Sequence, residues 1–315
     1  MKIVQYTNQS MLEIITELKD FLKYDDSIKI EALNPDICSG KYSGEVVELN
    51  STRYIYRGYK AWVNLAEILY CRIKTPKIID EYRVAITFEK LNTDSSFHTD
   101  ENIDRSEKYG TESIFSRINK NEEPTFLNAY HKALLSVKIN TRKNILNLGI
   151  NRGDEFKLIE QMISVDEFSN IKLTGIDHSI TAINEAKNRF PAHTFHATDI
   201  NDIDSLNLGS FDLIISIGTL QSPSINYKPF LMNLVQNYLN HDGAIILGFP
   251  NSRWSDGELT YGAFAPNYNY SEMSLLYNDV IFAKKYLQQK KFRVTITGRE
   301  YIFLTATKIG VINNS

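Results

Sequence analysis

Two glycines four residues apart interrupt the chain at the end of an apolar run. The stretch "ILNLGINRGDEF", residues 145–156, stops on Gly149, crosses Asn151 and Gly153, and resumes as an amphipathic segment. The next two apolar runs end on aspartates, Asp177 in "KLTGID" and Asp199 in "HTFHATD". These residue types suit recognition of a nucleoside. Leaving a buried strand for a helix within a few residues needs backbone angles that a Cβ opposes, and a ligand resting on such a turn needs bare backbone. Asn151, between the glycines, is of the type that best tolerates a left-handed conformation without being glycine. A carboxylate at a strand end can accept two hydrogen bonds from a cis-diol, and another can accept an adenine amino proton. Either aspartate alone is as easily a turn or a helix cap, and "DHSITA" puts Asp177 and Ser179 where an N-cap belongs. The spacing favours the joint reading: 28 residues from Gly149 to Asp177 and 22 from Asp177 to Asp199, each enough for one helix and one strand.

The elements around these residues alternate. After the polar, proline-containing break "NKNEEPT" at 119–125, "PTFLNAYHKALLSV" reads as a helix. Strand-like runs ("NILNLGI", "KLTGID", "HTFHATD", "FDLIISIG", "GAIILGF") then alternate with helical patterns ("DEFKLIEQMI", "SITAINEAKNRF", "KPFLMNLVQNYL"). Continuous apolar strands separated by amphipathic helices mean a parallel sheet covered on both faces by right-handed crossovers. In such sheets ligands sit at the carboxyl ends of the strands. Residues 126–315 are therefore expected to form one α/β domain, and residues 1–125 a separate α+β region. In that region "QSMLEIITELKDFLKY" and "YKAWVNLAEILYCRI" read as helices, "EYRVAITFEKL" as a half-buried strand, and 92–113 as a polar loop.

Two kinds of nucleotide loop compete for the glycine turn. The dinucleotide fingerprint G-x-G-x-x-G needs glycines where this chain has Asn151 and Asp154, so it matches only at Gly149. Asp154 would also set a carboxylate at the helix N-terminus that should receive pyrophosphate. A cofactor without phosphates removes that objection, and S-adenosylmethionine is one. Here residues 126–309 resemble the class I S-adenosylmethionine-dependent methyltransferases. "ILNLGINRG" resembles the family's first motif, whose glycine loop meets the methionine part of the cofactor. "LTGIDHS" resembles the second, which implies that Asp177 holds the ribose hydroxyls with His178 lining the pocket. "FHATDI" resembles the third, implying that Asp199 and Ile200 contact the adenine, and "FDLIISIGTLQS" the fourth strand, whose end around Ile217 lines the cofactor beside the acceptor. The resemblance implies a Rossmann-like, doubly wound, seven-stranded sheet whose last strand is antiparallel. "FRVTITGREYIFLTATKI", two β segments turning at Gly298, fits the closing hairpin. Position 147 departs from the pattern, being Asn where the family usually has an acid that helps hold the cofactor's amino group. Position 151 is Asn where a third glycine is common.

A sulfonium methyl is already activated, so the protein mainly has to align a nucleophile and exclude water. No residue type is thereby required as a base, and the sequence names no catalytic residue. The segment 248–277 is long for a loop and rich in aromatics, among them Trp254, Tyr261, Phe264, Tyr268, Tyr270 and Tyr277. It suggests a substrate lid with Glu258 and Tyr261 as polar contacts, or simply aromatics that pack the loop down. His98 could be a base on a closing segment or an exposed histidine; His131 reads as a helix-face residue, and His196 as lining the cofactor pocket. The histidines show no metal-ligand spacing.

Charge bears on the acceptor. Residues 1–125 carry 17 basic against 21 acidic side chains and residues 126–315 carry 18 against 17, so neither region has the basic footprint of a nucleic-acid binder. The run "RYIYRGYK", residues 53–60, could still grip a phosphate or stack on a base; the alternative is a strand entering a helix. The sequence thus points to methyl transfer onto an O or N nucleophile of a small molecule or metabolite, with an RNA acceptor or a non-catalytic binding subunit as alternatives. No window has the apolar length of a membrane span, and Cys38 and Cys71 read as reduced core thiols, which together suggest a cytoplasmic protein.

Overall fold

A computed structural model describes residues 3–37, 39–94, 110–263 and 272–310. The chain divides into two compact units, Met1–Ser95 with the turn Ser255–Gly257, and Ser96–Trp254 with Glu258–Ser315. The division falls earlier than the 125/126 boundary read from the sequence.

The first unit is built from β1 (Ile3–Gln5), α1 (Met11–Phe21), β2 (Ser27–Leu33), β3 (Val46–Leu49), β4 (Thr52–Ile55), α2 (Tyr59–Ile68), β5 (Cys71–Ile73), β6 (Lys77–Ile78) and β7 (Arg83–Lys90). Alternating apolar residues put Ile28 and Ile30 of β2 and Ile86 and Phe88 of β7 on one face, where they bury against Ile14 and Leu18 of α1 and Trp62 and Leu65 of α2. Helix α1 starts in a capping box: the Ser10 hydroxyl accepts from Glu13 N, and the Glu13 carboxylate accepts from Ser10 N at 2.6 Å. The sheet runs β1-β2-β7-β5, with β6 also on β7 and β3-β4 a separate hairpin. Cys71 is buried with a free thiol, which burial pushes up to about 12.

The second unit holds α3 (Pro124–Ser136), β8 (Asn144–Leu148), α4 (Asp154–Met162), α5 (Val165–Ser169), β9 (Lys172–Asp177), α6 (Ile180–Arg189), β10 (Thr194–Ala197), β11 (Phe211–Ile217), α7 (Tyr227–Asn233), β12 (Leu239–Pro250), β13 (Ser252–Ser255), β14 (Glu258–Tyr261), α8 (Ser274–Gln289), β15 (Phe292–Gly298) and β16 (Tyr301–Lys308). Its seven-stranded sheet has the order β10-β9-β8-β11-β12-β16-β15. All neighbouring pairs are parallel except those made by β16, which lies antiparallel between β12 and β15. This is the doubly wound sheet with an antiparallel last strand expected from the sequence. Each face has its own core. Ile145, Ile215 and Phe303 meet Tyr130 of α3 and Phe156 of α4 on one side, and Leu146, Ile214 and Leu304 meet Leu231 of α7 and Leu287 of α8 on the other. Such two-sided burial is why these strands read as unbroken apolar runs.

Before α3, two short 3-10 turns, Ile114–Arg117 and Lys120–Glu122, belong to this second unit. One side chain holds the first turn and its end: the Arg152 guanidinium donates to Ser116 O at 2.6 Å and to Ile118 O at 3.2 Å. That strap is the physical reason the unit begins before the proline-marked break. The sequence treats the segment after β12 as one long loop, but its first part is a hairpin, β13-β14. The hairpin turns at Asp256 and Gly257, whose φ angles are both positive (49° and 77°), as a two-residue hairpin turn requires. Phe264, Tyr268, Tyr270, His98 and Cys38 lie outside the described residues.

Candidate functional site

The carboxyl ends of β8, β9, β10 and β11 converge on the glycine turn. Gly149 and Gly153 have φ of 76° and 90°, and Asn151 between them has φ of 48°, the left-handed conformation its residue type suits. The turn is anchored from β9: Gly149 N donates to Ile176 O at 2.8 Å, and Asn151 N to the Asp177 carboxylate at 2.9 Å. The other Asp177 oxygen accepts from Ser179 N at 3.0 Å, so the aspartate both caps its own turn and ties down the glycine loop. Each oxygen retains a lone pair for a further donor. His178 stands beside it, Nδ1 lying 3.5 Å from Asp177 Oδ1.

The bare faces of the two glycines meet protein side chains. A Cβ on Gly149 would overlap the Thr219 side chain, just past the end of β11, and one on Gly153 would come within 2.8 Å of the Phe190 ring. The glycines are thus required by packing as well as by φ. Thr219 packs against the turn, a contact the sequence does not announce, because only the parallel pairing of β11 with β8 brings it there.

Strand pairing sets the other candidates in a row. Ala197 of β10 pairs with Asp177 of β9, which places Asp199 and Ile200 at the strand end next to it. Asp199 is exposed and accepts from Asn201 N at 2.8 Å, while Ile200 is buried. On the other side Ile217 is buried at the end of β11. His196, on β10, is half-buried; its Nε2 finds no partner among the described residues, and burial lowers its pKa. His131 is half-buried on α3.

Helix α4 opens with Asp154, whose carboxylate is paired with Arg189 at 2.7 Å and Arg152 at 3.2 Å. The first residue of α4 is therefore an acid whose charge is met by two guanidiniums. Next to it Glu155 is 7% exposed. Burial raises its carboxyl to about 7, the Lys120 ammonium opposing and the charges of Asp154 and Asp177 adding to the rise. A single glutamate in a helical pattern carries no sequence signal of this burial.

Further along the same edge, where β12 ends and β16 begins, Glu123, Glu258 and Glu300 gather. Burial, then the Glu258 and Glu300 charges, raise the Glu123 carboxyl. Glu258 is exposed at the start of β14, and Tyr261 at its end lies under the Arg299 guanidinium at 5.2 Å. Gln221 lies past β11 with a buried side-chain oxygen that accepts no hydrogen bond among the described residues.

A family profile described as a methyltransferase domain matches residues 140–294, the stretch from just before β8 to β15. Those residues are a class I S-adenosylmethionine-dependent methyltransferase domain. Its cofactor is S-adenosylmethionine. No curated protein matches the chain. Solved structures similar to it include the plantazolicin methyltransferase BpumL in complex with a desmethyl substrate analogue and S-adenosylhomocysteine, 20% identical over 61% of this chain and 88% of that one, TM-score 0.38. Another is a TehB-like methyltransferase from Corynebacterium glutamicum, 18% identical over 60% of this chain and 97% of that one, TM-score 0.38. A third is magnesium protoporphyrin IX methyltransferase from Synechocystis with bound S-adenosylmethionine, 16% identical over 67% of this chain and all of that one (100%), TM-score 0.40.

The methyltransferase domain fits its cofactor on its own residues. The turn at the switch between β8 and β11 is glycine-based, acids stand at the ends of β9 and β10, and α4 opens with Asp154 paired to Arg189. Among the described residues no helix is long and apolar enough to cross a membrane. The basic-aromatic run 53–60 is the end of β4 entering α2. Arg57 is buried, its guanidinium donating to Gln9 O and lying 5.7 Å from the Trp62 ring.

Proposed function

We propose that this enzyme methylates an O or N nucleophile of a small molecule or metabolite, with residues 1–125 serving to select or cover the acceptor. The observation that carries the reading is the convergence of Gly149, Asn151, Gly153, Asp177, Asp199 and Ile217 on one strand edge of a methyltransferase domain. In this reading the turn backbone and Ile217 flank the cofactor, Asp177 takes the ribose hydroxyls with His178 beside it, and Asp199 with Ile200 takes the adenine. Bound S-adenosylmethionine supplies an activated methyl group. The protein's part is to hold the acceptor in line and to exclude water. Glu258 and Tyr261 are proposed as polar contacts to the acceptor.

The carboxylates of Glu123, Glu258 and Glu300 give the acceptor side a negative field. That favours a neutral or cationic acceptor over one rich in phosphate. An RNA acceptor loses its local support as well, because Arg57 is spent inside the fold. A cytoplasmic setting goes with a metabolite acceptor.

Thermal-shift measurement with S-adenosylmethionine, S-adenosylhomocysteine and NAD tests the cofactor site: the first two should raise Tm by mass action and NAD should not. Asp177→Asn should abolish the shift, and an undiminished shift would remove the ribose assignment. Transfer of labelled methyl from the cofactor into metabolite, RNA and protein fractions of an extract tests the acceptor class. Label in RNA or protein alone would overturn the metabolite reading.

A further inference from the structure

At the edge of the sheet opposite the glycine turn, where the parallel strands β11 and β12 begin, the methyltransferase unit has a cavity of about 480 Å³. Its floor is the part of β15 and β16 that lies past the end of α3. On this face β16 carries Tyr301 and Phe303, which pack against Phe126 and Tyr130 of α3, and then Thr305 and Thr307 beyond the helix. Arg293 and Thr295 of β15 pair with Thr307 and Thr305 and continue the polar surface. The wall is Lys138, Thr141 and Arg142, around the 3-10 turn Ile139–Thr141 that follows α3. Arg142 fixes that wall. Its guanidinium donates through Nε to Val137 O at 2.9 Å and through Nη1 to Asp212 O of β11 at 3.1 Å and Asp242 O of β12 at 3.3 Å.

Four cations, Lys138, Arg142, Arg293 and Lys308, and two carboxylates, Asp212 and Asp242, line the cavity. Among the described residues no ion pair joins any of the six. The Asp212 carboxylate accepts instead from Lys143 N at 2.7 Å and Asn144 N at 3.0 Å, Arg142 donates to carbonyls alone, and Lys308 donates to Lys290 O at 2.8 Å. The side chains of Lys138 and Arg293 have no partner among the described residues. Nor has the hydroxyl of Thr305, although that residue is 4% exposed. Valine would fill nearly the same volume without leaving a buried hydroxyl to be satisfied.

Cations without carboxylate partners, set beside a free hydroxyl, are complementary to an oxyanion carrying more than one negative charge. The cavity falls within the range of about 300–1,000 Å³ typical of small-molecule sites. Among the described residues no aromatic ring lines it, so a nucleobase would find nothing to stack on. We infer that this cavity binds a small phosphate ester without a nucleobase. Arg293 and Lys138 meet the phosphate, Thr305 donates to it, and Asp242 accepts from hydroxyls of the remainder. The site stands at the other end of the strands from the glycine turn, so the inference does not depend on the cofactor or acceptor assignments.

Titration calorimetry of the full chain in about 0.1 M sodium chloride tests this with glucose 6-phosphate, glucose, inorganic phosphate and ADP. Glucose 6-phosphate should bind more tightly than inorganic phosphate, while glucose and ADP should give no measurable heat. Arg293 is exposed, so Arg293→Ala leaves the packing alone; it should weaken glucose 6-phosphate binding on the order of 10- to 100-fold, and Thr305→Val about 3- to 10-fold. Melting curves of both variants should stay cooperative and close to wild type, which keeps lost binding distinct from unfolding. The inference is overturned if wild type binds neither phosphate probe, if both variants bind glucose 6-phosphate as wild type does, or if S-adenosylhomocysteine displaces it. Binding of ADP that Arg293→Ala removes would overturn the restriction to esters without a base.

Discussion

Replacing Glu155 by Gln should stabilise the folded protein at pH 8 and do little at pH 5. The unfolded chain holds this carboxyl near 4.5, and the fold, mainly through burial, holds it at about 7. Between those values the native state keeps a proton that the unfolded state has released, so stability falls as pH climbs through the window and levels off above about 7. At ~1.36 kcal/mol per pH unit the full gap is worth roughly 3 kcal/mol, of which less than about 1 kcal/mol is felt at pH 5. Gln keeps the shape and removes the titration. For a unit of this size 1 kcal/mol corresponds to about 2–4 °C, so the variant should melt roughly 6–12 °C above wild type at pH 8 and within about 4 °C of it at pH 5. Paired thermal unfolding curves across pH 5 to 8 give the answer. A variant that melts at or below wild type at pH 8, or is raised equally at both pH values, would refute the burial argument.

Gly149→Ala should destabilise by roughly 2–4 kcal/mol, from the positive φ and the overlap with Thr219, and Thr219→Gly in the same chain should restore part of it; denaturant midpoints of the two variants check this. Asp154→Ala should create weak affinity for phosphate-bearing nucleotides, seen as an ADP-induced Tm rise absent from wild type, because Arg152 and Arg189 lose their carboxylate at a helix N-terminus. Arg57→Ala should cost about 2–3 kcal/mol through the abandoned Gln9 carbonyl and the lost Trp62 contact, and should leave RNA retention on filters unchanged.

The second unit was legible in the sequence because its chemistry is local. Strands buried on both faces have no polar alternation to confuse them with helices, and the Gly149–Gly153 turn declares itself by residue type. What the sequence did not yield depends on distant partners. The strap 110–123 is two short 3-10 turns, too brief for any periodicity, and joins the second unit through Arg152, far along the chain. The β13-β14 hairpin does carry a signal, Asp256-Gly257 between "SRWS" and "ELTY", which the aromatic richness of the segment obscures. In the first unit β2 alternates as plainly as β7. Thr219, Lys120 and Glu155 gain their places only from tertiary packing.

Most adenosine in a cell travels with phosphates attached, as ATP, ADP, NAD and coenzyme A. A pocket that simply liked adenine and ribose would spend its time filled with the wrong molecules. The carboxylate locked between two arginines at the head of α4 gives this site a way to refuse them without inspecting the base or sugar. It keeps both guanidiniums engaged, so that neither is offered to an incoming pyrophosphate. On the cofactor reading above, selectivity among nucleosides here is largely a matter of rejection.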